Sequence, residues 1–280
     1  MEVRIAQERA FVLHSSVTTD QAREKAWAQK LNVFGALNNL MFRPKDDDVQ
    51  ITRHELRYEP FWHVACHSEL EYDIREAYVV PVRNQATRQI TLDVAPGQAL
   101  DVRDGHVTVT GVSRCKEAQQ REQILDGISG EERTAFAHYL RRPMTELHSL
   151  GEFAPAGAVV LPPEVKSSYV VRQQLTSLMK AVQADHLYTE LVEVSSIALF
   201  FRPVYAFDYS WISKQRQQSM ELDGVTGELR NTTRKVGSSG GRLDKDLLFD
   251  IGADALGMIV PGGNIAMKVG KMVVQRTKAQ

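Results

Sequence analysis

The 280-residue chain has little of what marks most specialised protein classes. It carries two cysteines, Cys66 and Cys115, too few for a secreted disulfide scaffold and suited to a reducing compartment. Neither sign of charge prevails: 34 Lys and Arg against 35 Asp and Glu leave a net charge of −1. Such a balance draws in no polyanion globally, so nucleic acid is not the expected partner. Long apolar runs are missing too. The opening MEVRIAQERAFVLHSS is broken by charge throughout, whereas a secretory signal needs roughly 7–15 uninterrupted apolar residues. The uncharged stretch 255–267 is split by Pro261-Gly262-Gly263 and falls short of the roughly 20 residues of a spanning helix. The expected location is cytoplasmic.

Strong catalytic signatures are also lacking. There is no G-x-S-x-G, H-E-x-x-H, paired C-x-x-C or dinucleotide fingerprint. Gly237 to Arg242, GSSGGR, lacks the Gly-Lys-Ser/Thr ending that sets a lysine and a hydroxyl on phosphates. It reads as flexible linker. Together these absences lean against an enzyme, and no cofactor is expected.

What is present is patterned sequence. Thr18-Thr19-Asp20 offers cap oxygens ahead of a run in which Trp27, Leu31, Phe34 and Met41 recur at helical spacing, predicting a helix over 19–40. Pro44 and Asp46-Asp47-Asp48 end it. Aromatic and β-branched runs follow, LRYEPFWHVACHSELEYD, EAYVVPVRN and RQITLDV, separated by polar turns. Asp104-Gly105 between alternating segments predicts a tight hairpin. Residues 114–150 are charged and helix-prone, and GEFAPAGAVVLPPE reads as an extended connector.

The first pattern then returns. Ser167-Ser168 precedes a stripe of Val171, Leu175, Leu178 and Val182, and strand-like TELVEVSSIALFFRPVYAFDYSW follows. Tyr58-Glu59-Pro60-Phe61-Trp62 overlays Phe201-Arg202-Pro203-Val204-Tyr205, with the prolines 143 residues apart. The prediction is an α+β fold of two tandem helix-on-antiparallel-sheet units from an internal duplication. Each proline belongs on an edge strand or at a bulge. Expected boundaries are 1–113 for the first unit with its hairpin, 114–163 for a helical insert and connector, and 164–232 for the second unit. A basic linker, 233–246, and an amphipathic helical tail, 247–280, complete the chain.

Pro203-Val204-Tyr205-Ala206-Phe207-Asp208-Tyr209, a polar turn, and then Met220 to Glu228, MELDGVTGE, resemble the PepSY-type repeat. The likeness covers about 60 residues from Val165 and is architectural. It implies a binding or inhibitory module. The first unit shares the Pro-aromatic strand and, on this reading, lacks the Asp-x-x-Thr-Gly ending.

Three sets of side chains are candidates for function. The aromatics Tyr58, Trp62, Phe201 and Tyr205 flank the two prolines. In the tail, Ile259, Ile265 and Val269, with Lys268 and Lys271, form an apolar and basic surface. His63, Cys66 and His67, with His54 upstream, could hold zinc or supply a Cys–His pair. On a strand, however, His63 and His67 share one face while Cys66 points to the other. Glu69, Glu71 and Asp73 alternate along a strand as a solvated acidic face. The functional expectation is a non-catalytic binding or assembly protein acting through a protein partner or self-association. The alternatives are an enzyme with its site in a groove between the units, or a peripheral membrane protein using residues 247–280.

Overall fold

A computed structural model describes residues 1–35, 41–42, 44–179, 182–232, 243 and 275–277. In chain order these form β1 (Glu2–Ala6), β2 (Glu8–Leu13), α1 (Thr19–Ala28), β3 (Val49–Pro81), β4 (Gln89–Thr91), β5 (Ala99–Asp101) and β6 (His106–Asp126). A 3-10 turn (Thr134–Arg141), β7 (Met144–Glu146), β8 (Ala158–Val160) and α2 (Ser167–Leu178) follow. The chain then runs through β9 (His186–Trp211), β10 (Arg216–Asp223), β11 (Leu229–Thr232) and β12 (Gln275–Thr277).

The predicted pair of tandem helix-on-sheet units gives way to one mixed, mostly β architecture. Strands from both halves join a single 10-stranded sheet, with β4 and β5 forming a separate two-stranded one. At its centre β3 and β9 run antiparallel from Val49–Trp211 to Asp73–His186. Along its other edge β9 meets β1 and β2 in parallel and then β10 antiparallel. The outer edge of β3 meets β8 in parallel and then β6 antiparallel.

That arrangement explains the prolines. Pro60 lies between Tyr58, the last partner of β8, and Phe61, the first partner of β6. Pro203 lies between Phe201, the last partner of β2, and Val204, the first of β10. Each proline occupies the junction where one outer neighbour is exchanged for another, so its missing N–H removes no ladder bond. The Pro60 carbonyl accepts from the Gly127 amide (3.0 Å) and the Pro203 carbonyl from the Gly224 amide (2.8 Å).

The turns entered by those glycines are alike in detail. Asp126-Gly127-Ile128-Ser129-Gly130-Glu131 parallels Asp223-Gly224-Val225-Thr226-Gly227-Glu228, correcting the expectation that the first half lacks this ending. Asp126 Oδ1 accepts from the amides of Ile128 and Ser129, and Asp223 Oδ1 from those of Val225 and Thr226. Gly130 and Gly227 both sit at φ +74, a conformation that favours glycine.

Each helix docks on strands of the other half, and α2 on β9 of its own half as well. α1 packs on β9 and β10, whereas α2 packs on β3, β6 and β9. Tyr205 Oη donates to the Val17 carbonyl ahead of α1 (2.8 Å), and Trp62 Nε1 donates to the Val165 carbonyl ahead of α2 (2.8 Å). Each helix is therefore held by the other half's strands. α1 has the predicted start, with Thr18 and Gln21 in a reciprocal capping box, but ends at Ala28 rather than residue 40. It buries Ala22 and Ala26, leaving Trp27 exposed. The small side chains let the helix approach Tyr209, whose hydroxyl donates to the Ala26 carbonyl (2.9 Å).

The predicted helical insert is overturned as well. Residues 114–126 continue β6, paired rung by rung with Asp73 back to Phe61, because cross-strand pairing overrides their helix-prone composition. β3 passes without a turn through the polar positions after residue 73. The tail helices, with Ile259, Ile265, Lys268, Val269 and Lys271, lie outside the described residues. Gln275–Thr277, expected to be helical, form a strand parallel to β1.

Candidate functional site

Side chains alternate across the sheet, and each face has its own chemistry. One face carries two apolar clusters. Trp62, Val64, Cys66, Leu199 and Phe201 pack beneath α2, while Tyr205, Phe207, Tyr209, Trp211 and Leu222 pack with Ala22 and Ala26 of α1. The candidate aromatics are thus structural. Trp62, Phe201 and Tyr205 are buried. Tyr58 is half-buried, its ring edge-on to Phe153 at 5.2 Å.

The opposite face holds a sealed ionic network. Glu59 and Arg202 are register partners across the β3–β9 seam, and the guanidinium donates to Glu59 and, at 3.0 Å, to Asp223. Tyr139, from the 3-10 turn, donates to the same Asp223 carboxylate. Arg57, fully buried, reaches Glu59 (2.8 Å) and Glu221. Burial alone would lower the pKa of Arg202, but Glu59, Tyr139 and Asp223 outweigh it and raise the value. Burial pushes the Tyr139 hydroxyl up to about 12. These pairs tie β3 to β9 and β10 by charge away from solvent. Beside them Phe61 and Phe200 stack at 5.0 Å under Phe136 and Tyr139.

The structure does not bring His63, Cys66 and His67 together. Cys66 lies in the α2-side core, where burial drives its thiol up to about 12. His63 contacts Glu122 (2.7 Å) and His67 approaches Glu193 (3.5 Å) on the other face. His54 meets Arg23 at the mouth of an open groove of about 430 Å³, also lined by Glu24, Trp27, Ile51 and Phe207. Among the described residues no group of three or more His, Cys, Asp or Glu is placed to hold a metal ion.

The feature that sequence reasoning missed is an arm. β9 leaves β3 at Asp73–His186, yet the β3–β6 ladder continues from Ile74–Ser113 to Pro81–His106. At roughly 3.3 Å per residue the two-stranded ribbon projects about 25 Å. Its tip carries β4 and β5 and closes at the predicted Asp104-Gly105 turn, where both residues have positive φ (49 and 75). The root is clamped. Arg114 and Tyr188 both bond the Asp73 carboxylate, at 3.0 and 2.6 Å, and Arg114 stacks over the Tyr188 ring at 3.9 Å. The Arg114 hydrogen bond, with that of Tyr188, holds Asp73 below the usual carboxylate range. Of the acidic row, Asp73 serves this clamp and Glu71 lies 4.0 Å from Arg114. Along one face of the ribbon Ala77, Val79, Thr108, Thr110 and Val112 form a strip, with Val79 63% and Val112 57% exposed and Arg75 opposite Val112 at its root. The signal that could have shown the arm is spacing: Pro60 stands 66 positions before its Asp-Gly turn and Pro203 only 20 before its own.

No helix among the described residues is long and apolar enough to cross a membrane. Comparison with known proteins finds no matching family model, no curated relative and no solved structure of similar fold.

Proposed function

We propose that this chain is a non-catalytic binding or assembly protein that engages a protein partner through the β3–β6 arm. The observation that carries the reading is the clamped ribbon itself, which leaves the sheet with Val79 and Val112 open to solvent. Apolar surface costs roughly 25 cal/mol per Å² to leave in water, and a two-stranded ribbon has no core of its own in which to bury it. A protein surface would cover it and gain the contacts of Val79 and Val112. The resemblance of residues 165–230 to the PepSY-type repeat, which implies a binding module, points the same way. The buried titratable groups support this reading, since the Glu59 and Asp223 carboxylates are spent on Arg57, Arg202 and Tyr139 away from solvent.

Replacing residues 75–112 with Asn-Gly closes the ladder at Ile74–Ser113 and removes the arm while leaving the central sheet. Tagged full-length and armless chains, purified from the same cells, are compared by quantitative co-purification and native mass spectrometry. The expected result is cooperative unfolding in both and loss of the co-purifying protein from the armless chain. V79S/V112S should weaken that partner at least tenfold. Equal recovery with and without the arm overturns the reading, and a stoichiometric metal or small molecule in the full-length chain favours an enzyme instead.

A further inference from the structure

The outer edge of β6 is a second free surface, separate from the arm. Ala118, Gln119, Gln120, Arg121 and Glu122 are all exposed. Among the described residues the edge is covered only beyond this point, where the Arg133 amide donates to the Ile124 carbonyl and the Asp126 amide to the Glu131 carbonyl. Those two bonds fix the phase of the strand. Even-numbered residues turn their backbone groups outward, and odd-numbered ones bond to β3. From 116 to 122 the outward N–H and C=O groups of Lys116, Ala118, Gln120 and Glu122 have no strand partner among the described residues.

The charges on this edge read as their own complement when the strand is reversed. Lys116 and Glu117 on one side of Gln119 mirror Glu122 and Arg121 on the other. Both carboxylates already have a polar contact within the chain, Glu117 from Tyr72 (2.8 Å) and Glu122 from His63 (2.7 Å). Among the described residues neither Lys116 nor Arg121 has an ion-pair partner.

We infer that a second copy of this chain adds its β6 antiparallel to this edge, with the twofold axis passing at Gln119, to form a homodimer with one continuous sheet. In that register Lys116 faces the partner's Glu122, Glu117 faces the partner's Arg121, and symmetry repeats both pairs. Directly opposite residues share a face and lie about 4.5–5.5 Å apart at Cβ, close enough for opposite charges to attract. The hydrogen-bonded positions also agree, since Lys116, Ala118, Gln120 and Glu122 all turn outward and pair among themselves. Moving the axis to residue 120 sets all four charges opposite uncharged residues, and moving it to residue 118 keeps only Glu122 opposite a charge, Arg114, which already bonds Asp73. A closed twofold contact uses one patch twice, and this segment is complementary to itself.

Position 119 supplies the test. It falls at a non-hydrogen-bonded pair on the axis, where Cβ atoms are closest, within reach of a disulfide. Q119C should form a crosslinked dimer under mild oxidation, whereas the unaltered chain treated alike should not. By light scattering the full chain should weigh twice its 31.5 kDa. K116E should weaken the dimer at least tenfold, and K116E/E122K should restore it by exchanging the pair. Circular dichroism checks that each variant is folded. A full chain that stays monomeric across the concentration series overturns the inference. So does a dimer indifferent to K116E, one not restored by the exchange, or one that does not crosslink through position 119. The arm reading is tested on other residues, so either can fail alone.

Discussion

The Gly224 amide donates to the Pro203 carbonyl at 2.8 Å, and a Cβ built on Gly224 would stand 2.8 Å from that same oxygen. Gly127 meets Pro60 identically, its Cβ falling 2.8 Å from the Pro60 carbonyl oxygen. The contact is with backbone in the centre of the sheet, which cannot step aside. G224A and G127A should each cost about 1–3 kcal/mol, as overpacking does. Gly105 has open space around it but a φ of +75, so G105A should cost less, roughly 1 kcal/mol from backbone strain alone. Urea unfolding of the three variants checks the order, which reverses if conformation outweighs close approach.

Arg202 is 4% exposed between Glu59 and Asp223. Truncating one partner of a buried ion pair leaves the other charge uncompensated, so R202A should cost about 3–5 kcal/mol. Removing the paired charges together, as E59L/R202M, should recover at least half of that loss. Chemical denaturation of both variants decides it, and equal losses would overturn the uncompensated-charge account.

Cys66 is buried with its thiol driven up to about 12, whereas Cys115 is half-buried on β6. The thiolate is the reactive species. Ellman's reagent at pH 8 should therefore titrate one thiol in the native chain and a second only after unfolding. C115S should abolish the fast phase, and a fast phase that survives it would mean that Cys66 is open to solvent.

Asp48 gathers bonds from the Ser213 hydroxyl and amide and from Trp211 Nε1, which lower its pKa from the ordinary 3.8. A carboxyl depressed in the fold stabilises it above the ordinary pKa and loses that contribution as pH falls through the folded value. D48N should therefore be less stable than the unaltered chain at pH 7. The gap should narrow below about pH 4 and close as Asp48 protonates. Urea midpoints from pH 7 to pH 2 test the convergence.

Much of this local structure is legible in the residues. Thr18 marks a helix start, Asp104-Gly105 marks a hairpin, and the two Pro-aromatic runs mark strands that meet at the centre of the sheet. Four things were hidden. The Asp126-Gly127 turn escapes notice because the arm separates it from Pro60. The stretch RCKEAQQREQ reads as helix because its partner is another strand rather than a core. Trp27 and its helical neighbours suggest a buried stripe, yet the close approach of α1 to Tyr209 needs alanine, and the large residue turns outward. The grouping of Arg57, Glu59, Arg202, Glu221 and Asp223 depends on long-range register, which no local pattern encodes.

The exchanged docking of the two helices also sets a schedule for the growing polypeptide. Val17, just ahead of α1, is held by Tyr205, 188 residues later in the chain. At synthesis rates of about 5–20 residues per second, the wait is on the order of 10–40 s. During that interval the first helix has left the ribosome without the strands that complete it. Its short stripe of alanines offers little for stray hydrophobic surfaces to seize.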